Sequence, residues 1–94
     1  MDVSLVTSEK MTADEYLARL LEMLGPQERA AVKLVSEKYD TATTINVAGR
    51  IKMGQDHYGK LDLANDPRDW LAEAAEEDWD GIAYRAFHEL KQSL

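Results

Sequence analysis

The sequence predicts a small all-α domain. Gly and Pro number only five and two among the 94 residues, too few for a chain built from many tight β-turns. Apolar residues recur at helical spacing in several stretches, and the clearest of these follows a capping signal. A chain that is 45% hydrophobic and 31% charged has the balance of a folded protein. We expect one domain over residues 1–94, with residues 1–11 as a flexible N-terminus.

The first helix has the most specific start signal. Thr12 and Glu15 have the spacing of a capping box, in which each side chain satisfies a free backbone N–H group of the first turn. Gly25 is expected to end this helix in the left-handed conformation, and Pro26 blocks its continuation. The apolar stripe between these signals consists of Tyr16, Leu17, Leu20, Leu21 and Leu24.

Pro26 is also a favourable first residue for a second helix, whose buried face would contain Ala31, Leu34 and Val35. Because the Gly25-Pro26 connection is short, the first two helices are expected to form an antiparallel hairpin.

The segment from Asp40 to Thr44 is interpreted as a break. Its β-branched residues also suit a strand, but an isolated strand would have no partner, so we expect a Thr-capped third helix from about Ile45 to His57. Gly49 opposes this helix by about 1 kcal/mol relative to alanine. Gly59 follows as the terminator.

A long C-terminal helix completes the predicted four-helix architecture. Residues 60–65 read as an extended linker. Asp66 is then the expected cap, Pro67 the first helical residue and Asp69 an acid near the positive end of the helix dipole. The helix is expected to reach Lys91, a length of about 35 Å. A domain of this size has a thin hydrophobic core, and a dimer is expected because it would bury more apolar surface.

The composition excludes several classes of protein. The chain has no Cys, so disulfide staples, thiolate metal sites and Cys nucleophiles are excluded. No apolar run approaches the length of a membrane span. The N-terminal residues also lack the pattern of a signal peptide. We expect a cytoplasmic protein.

Charge is distributed unevenly along the chain. The net charge is −7, and residues 61–94 hold nine acidic against three basic residues. This balance suits a divalent-cation site, a basic protein partner or simple solubility, and it argues against direct DNA binding. A helix-turn-helix through Asp40 to Thr44 would be supported only by Arg50, Lys52 and Lys60.

Carboxylates cluster on one face of the predicted last helix. At 100° per residue, Glu73, Glu77 and Asp80 share this face and Glu76 lies at its edge. Their mutual repulsion can be relieved by solvent, by bases of another helix or by Mg²⁺, which binds carboxylates together with phosphate oxygens. A solvated acidic face is the commoner explanation of such a stripe.

Basic and aromatic side chains offer two interpretations each. Arg50 and Lys52 can meet phosphates, but pairing with acids of the last helix is favoured. Tyr58 and Trp70 can stack on a base, but positions in the core are favoured.

The acidic stretch resembles a known family. Residues 76–84 look like the Glu-Glu-x-x-Asp-x-x-x-Tyr helix of MazG-like, all-α nucleotide pyrophosphohydrolases. The segments Tyr58-Gly59-Lys60-Leu61-Asp62-Leu63 and Asp66-Pro67-Arg68-Asp69-Trp70 resemble what precedes that helix in small phage-type relatives. The likeness spans about residues 50–87.

This resemblance implies a helical homo-oligomer that uses Mg²⁺ to hydrolyse nucleoside triphosphates to monophosphates. It implicates Glu77 and Asp80 as metal ligands, and Glu73 and Glu76 as neighbouring acids with catalytic roles. Tyr84 would lie near the site and, with Arg50 and Lys52, would contact the substrate.

One element of the family pattern has no counterpart here. The family's first acidic motif, Glu-Glu-x-x-Glu on an earlier helix, is missing, and a single helix supplies half of a cation cage. A catalytically degenerate relative therefore remains open. So does an acidic helical binding or inhibitor protein that occupies a basic surface or mimics the charge of nucleic acid.

Overall fold

The computed structural model describes residues 11–74 and 79–94. Five α-helices lie in these ranges, and no strand does, which confirms the predicted all-α class. They are α1 (Ala13–Glu22), α2 (Pro26–Lys38), α3 (Thr41–Tyr58), α4 (Trp70–Glu73) and α5 (Trp79–Gln92). Within the same ranges, no helix combines the length and apolarity needed to cross a membrane. The predicted flexible N-terminus lies outside the described residues apart from Met11.

Local signals place three helix ends where the sequence predicts them. Thr12 and Glu15 form the expected capping box, with the Glu15 N–H donating to Thr12 Oγ1 at 3.1 Å and the Thr12 N–H donating to Glu15 Oε1 at 2.9 Å. Pro26 occupies the first position of α2. Gly59 ends α3 at φ +85°, a conformation that favours glycine.

The third helix begins earlier than predicted. Asp40 is its N-cap and accepts from the Thr43 N–H at 2.9 Å, while the Thr44 hydroxyl donates to the Asp40 carbonyl at 2.9 Å. The expected break at Asp40 to Thr44 was wrong because these polar groups satisfy the first turn and outweigh the weak helix propensity of threonine.

The core is centred on α3, which packs against α1, α2 and α5. The α2–α5 contact completes the main layer. The predicted α1–α2 hairpin is wrong, because α1 packs on α3 instead. The largest buried apolar side chains are Leu20, Leu24, Val32, Val35, Val47, Ile51, Leu63, Trp70 and Phe87.

The predicted long C-terminal helix is also wrong. The Trp70 ring lies 5.3 Å from Tyr84 and 5.0 Å from Phe87, whereas 14 residues of continuous helix would separate positions 70 and 84 by about 21 Å. Arg85 Nη2 donates to the Ala74 carbonyl at 3.2 Å. The chain therefore folds back, because burying an indole is worth about 4 kcal/mol and exceeds the gain from a few more helical residues.

Two further caps differ from expectation. The N-cap of α4 is Asp69 rather than Asp66, and its side chain accepts from the Ala72 N–H at 3.2 Å. Gly25 is not left-handed: it has φ −68° and precedes α2. A Cβ on Gly25 would lie 2.6 Å from Glu28 Oε1, so glycine at this corner leaves room for the buried Glu28 carboxylate, while its backbone angle is open to any residue.

Candidate ligand-binding cleft

A cleft of about 570 Å³ lies beside the C-terminal half of α3 and is closed on other sides by residues 58–70 and by α5. Its volume falls in the range of small-molecule sites. The polar and aromatic groups that line it include Glu28, Arg50, Tyr58, Lys60, Asp62, Asp66, Arg68, Trp70, Asp80, Tyr84 and Phe87.

Residues 60–68, here called the cleft wall, are irregular in backbone and are held by the first turn of α2. The Leu61 N–H donates to Glu28 Oε2 at 2.6 Å, and the Leu63 N–H donates to Gln27 Oε1 at 2.7 Å. Leu63 is fully buried. Glu28 is 1% exposed, and its second oxygen, Oε1, has no hydrogen-bond partner in the described chain.

A second attachment joins the α1–α2 corner to α3. Gln55 Oε1 accepts from the Gly25 N–H at 2.7 Å, and Gln55 Nε2 donates to the Met23 carbonyl at 2.9 Å. The Gln55 side-chain amide thus satisfies one backbone N–H and one backbone carbonyl that have no partner within α1 or α2. The two hydrogen bonds of Gln55 and those of Gln27 and Glu28 together hold the back of the cleft in place.

Aromatic rings form the floor of the cleft. Trp70, Tyr84 and Phe87 contact one another with centroid separations of 5.0 to 6.1 Å, and the Arg68 guanidinium lies 4.2 Å over the Trp70 ring. Trp70 is 3% exposed, which confirms its predicted core position. The same prediction is wrong for Tyr58, which is 85% exposed at the cleft.

The two arginines of the cleft are held very differently. Arg68 donates to both oxygens of Asp66, with Nη2 at 2.7 Å and Nε at 3.0 Å from them. These hydrogen bonds lower the pKa of Asp66 and raise the pKa of Arg68. Arg50 Nε lies 3.8 Å from Asp80 Oδ1, which is too long for a hydrogen bond. Arg50 is therefore the more available cation.

The structure brings three predicted site residues to this cleft: Arg50, Asp80 and Tyr84. The preferred interpretation of Arg50, pairing with an acid of the last helix, is confirmed by its contact with Asp80. Lys52 instead pairs with Asp56 of its own helix at 2.7 Å, away from the cleft.

The predicted acidic face is not formed as one helical stripe. Glu73 is exposed on α4 and does not line the cleft, whereas Asp80 belongs to α5. Glu76 and Glu77 lie outside the described residues. The shared orientation expected for Glu73 and Asp80 was wrong because Trp70 of α4 packs against Tyr84 of α5, a contact that one continuous helix does not allow.

The metal prediction can be examined only in part. In the ranges 11–74 and 79–94, no group of three or more His, Cys, Asp or Glu side chains could hold a metal ion. Asp80 nevertheless places a carboxylate at the cleft. Mg²⁺ needs only one or two protein carboxylates when waters and phosphate oxygens complete its shell, so Asp80 fits a cation that arrives with a phosphate.

Several cleft residues were missed by sequence reasoning. Neither Arg68 nor Glu28 is among the predicted site residues, although both line the cleft. A signal for Arg68 is present, since an arginine flanked by Asp66 and Asp69 has nearby carboxylates to orient it. No local pattern indicates that Glu28 accepts from Leu61, which lies 33 residues away.

Comparison with known proteins gives no matching family model, no similar curated protein and no similar solved structure. Function is therefore inferred from the chemistry of the cleft and from the acidic sequence motif, of which Asp80 lines the cleft.

Proposed function

We propose that this protein binds a nucleoside phosphate in the cleft and is a relative of the MazG-like nucleotide pyrophosphohydrolases. One observation carries the proposal: Arg50 of α3 and Asp80 of α5 meet 3.8 Å apart at a cleft whose floor is aromatic. A half-exposed guanidinium suits a phosphate, a carboxylate beside it suits the Mg²⁺ that accompanies the phosphate, and an exposed aromatic ring such as that of Tyr58 suits a base.

The proposed reaction is the addition of water to the α-phosphorus of a nucleoside triphosphate, with pyrophosphate as the leaving group and the monophosphate as the second product. Bound Mg²⁺ would stabilise the charge that develops on the phosphate oxygens. Asp80 is the cleft carboxylate proposed to hold it, with Glu77 as the second proposed ligand and Glu76 as the acid proposed to act on water. Glu73 does not line the cleft and has no role in this proposal. A cytoplasmic, homo-oligomeric protein is part of this proposal.

Binding and hydrolysis are tested separately. Purified protein is titrated with each of the four common ribonucleoside triphosphates and Mg²⁺, and monophosphate release is followed by chromatography. We expect binding that weakens about tenfold in Arg50→Ala, the loss expected for one charge-assisted contact. Release, where present, should be abolished by Asp80→Asn and Glu77→Gln. The control is Asp56→Asn, an exposed acid on α3 outside the cleft.

The acidic binding protein remains the second candidate. It is favoured by the net charge of −7 and by the nine acidic residues among positions 61–94. A partner with a basic surface would then bind with an affinity that falls steeply with ionic strength. A protein that binds none of the four triphosphates but binds a basic model protein such as a histone at low salt would support this candidate over the first.

A further inference from the structure

Three residues on α3 form a stripe along the cleft. Arg50, Gly54 and Tyr58 are spaced four residues apart, and all three line the cleft. Residues four apart in an α-helix lie one above the other, with a rise of about 6 Å at each step. The stripe therefore presents a cation, a gap and an aromatic ring in order over about 12 Å.

Each member of the stripe is open to a ligand. The contact of Arg50 with Asp80 is long, at 3.8 Å from Nε to Oδ1, and the Arg50 side chain is 43% exposed. The position that a Cβ of Gly54 would occupy has no atom within 4 Å. Tyr58 is 85% exposed, and its ring lies beside that of His57 at a centroid separation of 6.0 Å.

The other aromatic residues of the cleft are less suited to receive a planar ligand. Trp70 is covered by Arg68 at 4.2 Å and is packed against Tyr84 and Phe87. A base could reach the indole face only by displacing a guanidinium that is also held by Asp66. The Tyr58 ring is exposed, so a base can stack on it without displacing another side chain.

We propose that Tyr58 and Gly54 form the subsite for the base of the nucleotide. The planar ring lies in the gap above Gly54 and stacks on Tyr58, while the phosphates extend towards Arg50. This inference rests on the proposed function and deepens it, because it names the residues that receive the base. Stacking on one aromatic residue is tolerant of base identity, so both purines and pyrimidines are expected to bind.

The first test compares two ligands on one variant. ATP and inorganic triphosphate, each with Mg²⁺, are titrated by calorimetry into wild-type protein and Tyr58→Ala. Loss of a stacking ring should weaken ATP binding about tenfold and leave inorganic triphosphate within about twofold. Tyr58→Phe, which keeps the ring, should restore ATP affinity. Because Tyr58 is exposed, these variants should fold normally.

The second test fills the gap. Gly54→Leu projects a side chain into the space proposed for the base and should weaken ATP binding at least tenfold. The matched control is Gly49→Leu: it places the same residue in the same helix, where no atom lies within 4 Å of the new Cβ, but outside the cleft lining. ATP affinity of Gly49→Leu should equal that of wild type. Circular dichroism checks that both variants remain helical.

The possible outcomes separate the two proposals. If ATP binds wild-type protein and Tyr58→Ala and Gly54→Leu both bind it with unchanged affinity, the base subsite is wrong while nucleotide binding stands. Equal weakening of ATP and inorganic triphosphate by Tyr58→Ala would also overturn the subsite. If none of the four triphosphates binds the wild-type protein, the proposed function fails and the subsite fails with it.

Discussion

In the layer formed by α2, α3 and α5, side chains such as Val35, Val47 and Ala48 are almost fully buried, and the helices satisfy their own backbone groups. The cleft wall has no regular structure, and single side chains of α2 satisfy its Leu61 and Leu63 N–H groups. The layer is therefore secured by many interchangeable contacts, whereas the wall depends on a few specific atoms. Changes to the wall should alter the cleft without disturbing the layer, with Leu63 as the exception.

Leu63→Ala should have the largest effect, because Leu63 is the buried apolar anchor that joins the wall to the core. Its removal should lower the free energy of unfolding by about 2 to 5 kcal/mol. Leu71→Ala is the control, since Leu71 is 54% exposed, and it should change stability by less than about 0.5 kcal/mol. Urea unfolding measures both. Equal effects would mean that the wall is not anchored at Leu63.

Glu28→Ala should cost about 1 to 3 kcal/mol, because it leaves the Leu61 N–H without its acceptor. The sharper measurement is amide hydrogen exchange. Glu28→Ala should accelerate exchange at Leu61 more than at Leu63, and Gln27→Ala should do the reverse, because each side chain accepts from a different amide. Identical acceleration at both amides would show that the wall moves as one unit.

Two glycines of α3 should respond to alanine with opposite signs. Gly59→Ala forces a side chain into φ +85° and should destabilise the protein by about 1 kcal/mol or more. Gly49→Ala lies inside the helix in open space and should stabilise it by about 1 kcal/mol. Thermal unfolding of the two variants tests the pair. A stabilising Gly59→Ala would contradict the observed end of α3.

The smallest effect on stability is expected when the pH is lowered. Hydrogen bonds from Arg68 hold the pKa of Asp66 below its ordinary value of 3.8. Since the folded pKa is depressed, the pair stabilises the fold above that value and loses its contribution as pH falls through the lower folded pKa. The difference in unfolding free energy between wild type and Asp66→Asn should stay constant from about pH 8 to about pH 5 and shrink below about pH 4. A difference that grows on acidification would contradict the pair.

The helix ends that the sequence predicted correctly depend on interactions between neighbouring residues. The Thr12 and Glu15 capping box, Pro26 at the start of α2 and Gly59 at the end of α3 each depend on neighbours within a few residues. The all-α class follows from the sum of such signals.

The errors arose where distant residues decide the structure. Periodicity continues through positions 70–91, but Trp70 packs against Tyr84 and Phe87, a contact that one continuous helix cannot make and that the helical pattern does not show. The partner of α1 was likewise set by packing on α3 rather than by the short connection to α2. Of the candidate site, Arg50, Asp80 and Tyr84 could be predicted to meet, whereas the wall contacts of Glu28 and Gln27 could not.

The close approach of Gly25 to Glu28 Oε1 has an evolutionary consequence. A residue larger than glycine at position 25 would have to displace the Glu28 carboxylate, which is the group that accepts from the Leu61 N–H. Positions 25 and 28 should therefore change together in descendants of this chain, whereas the backbone donor at position 61 is supplied by almost any residue. Substitutions in the corner between α1 and α2 should therefore also change the shape of the binding cleft.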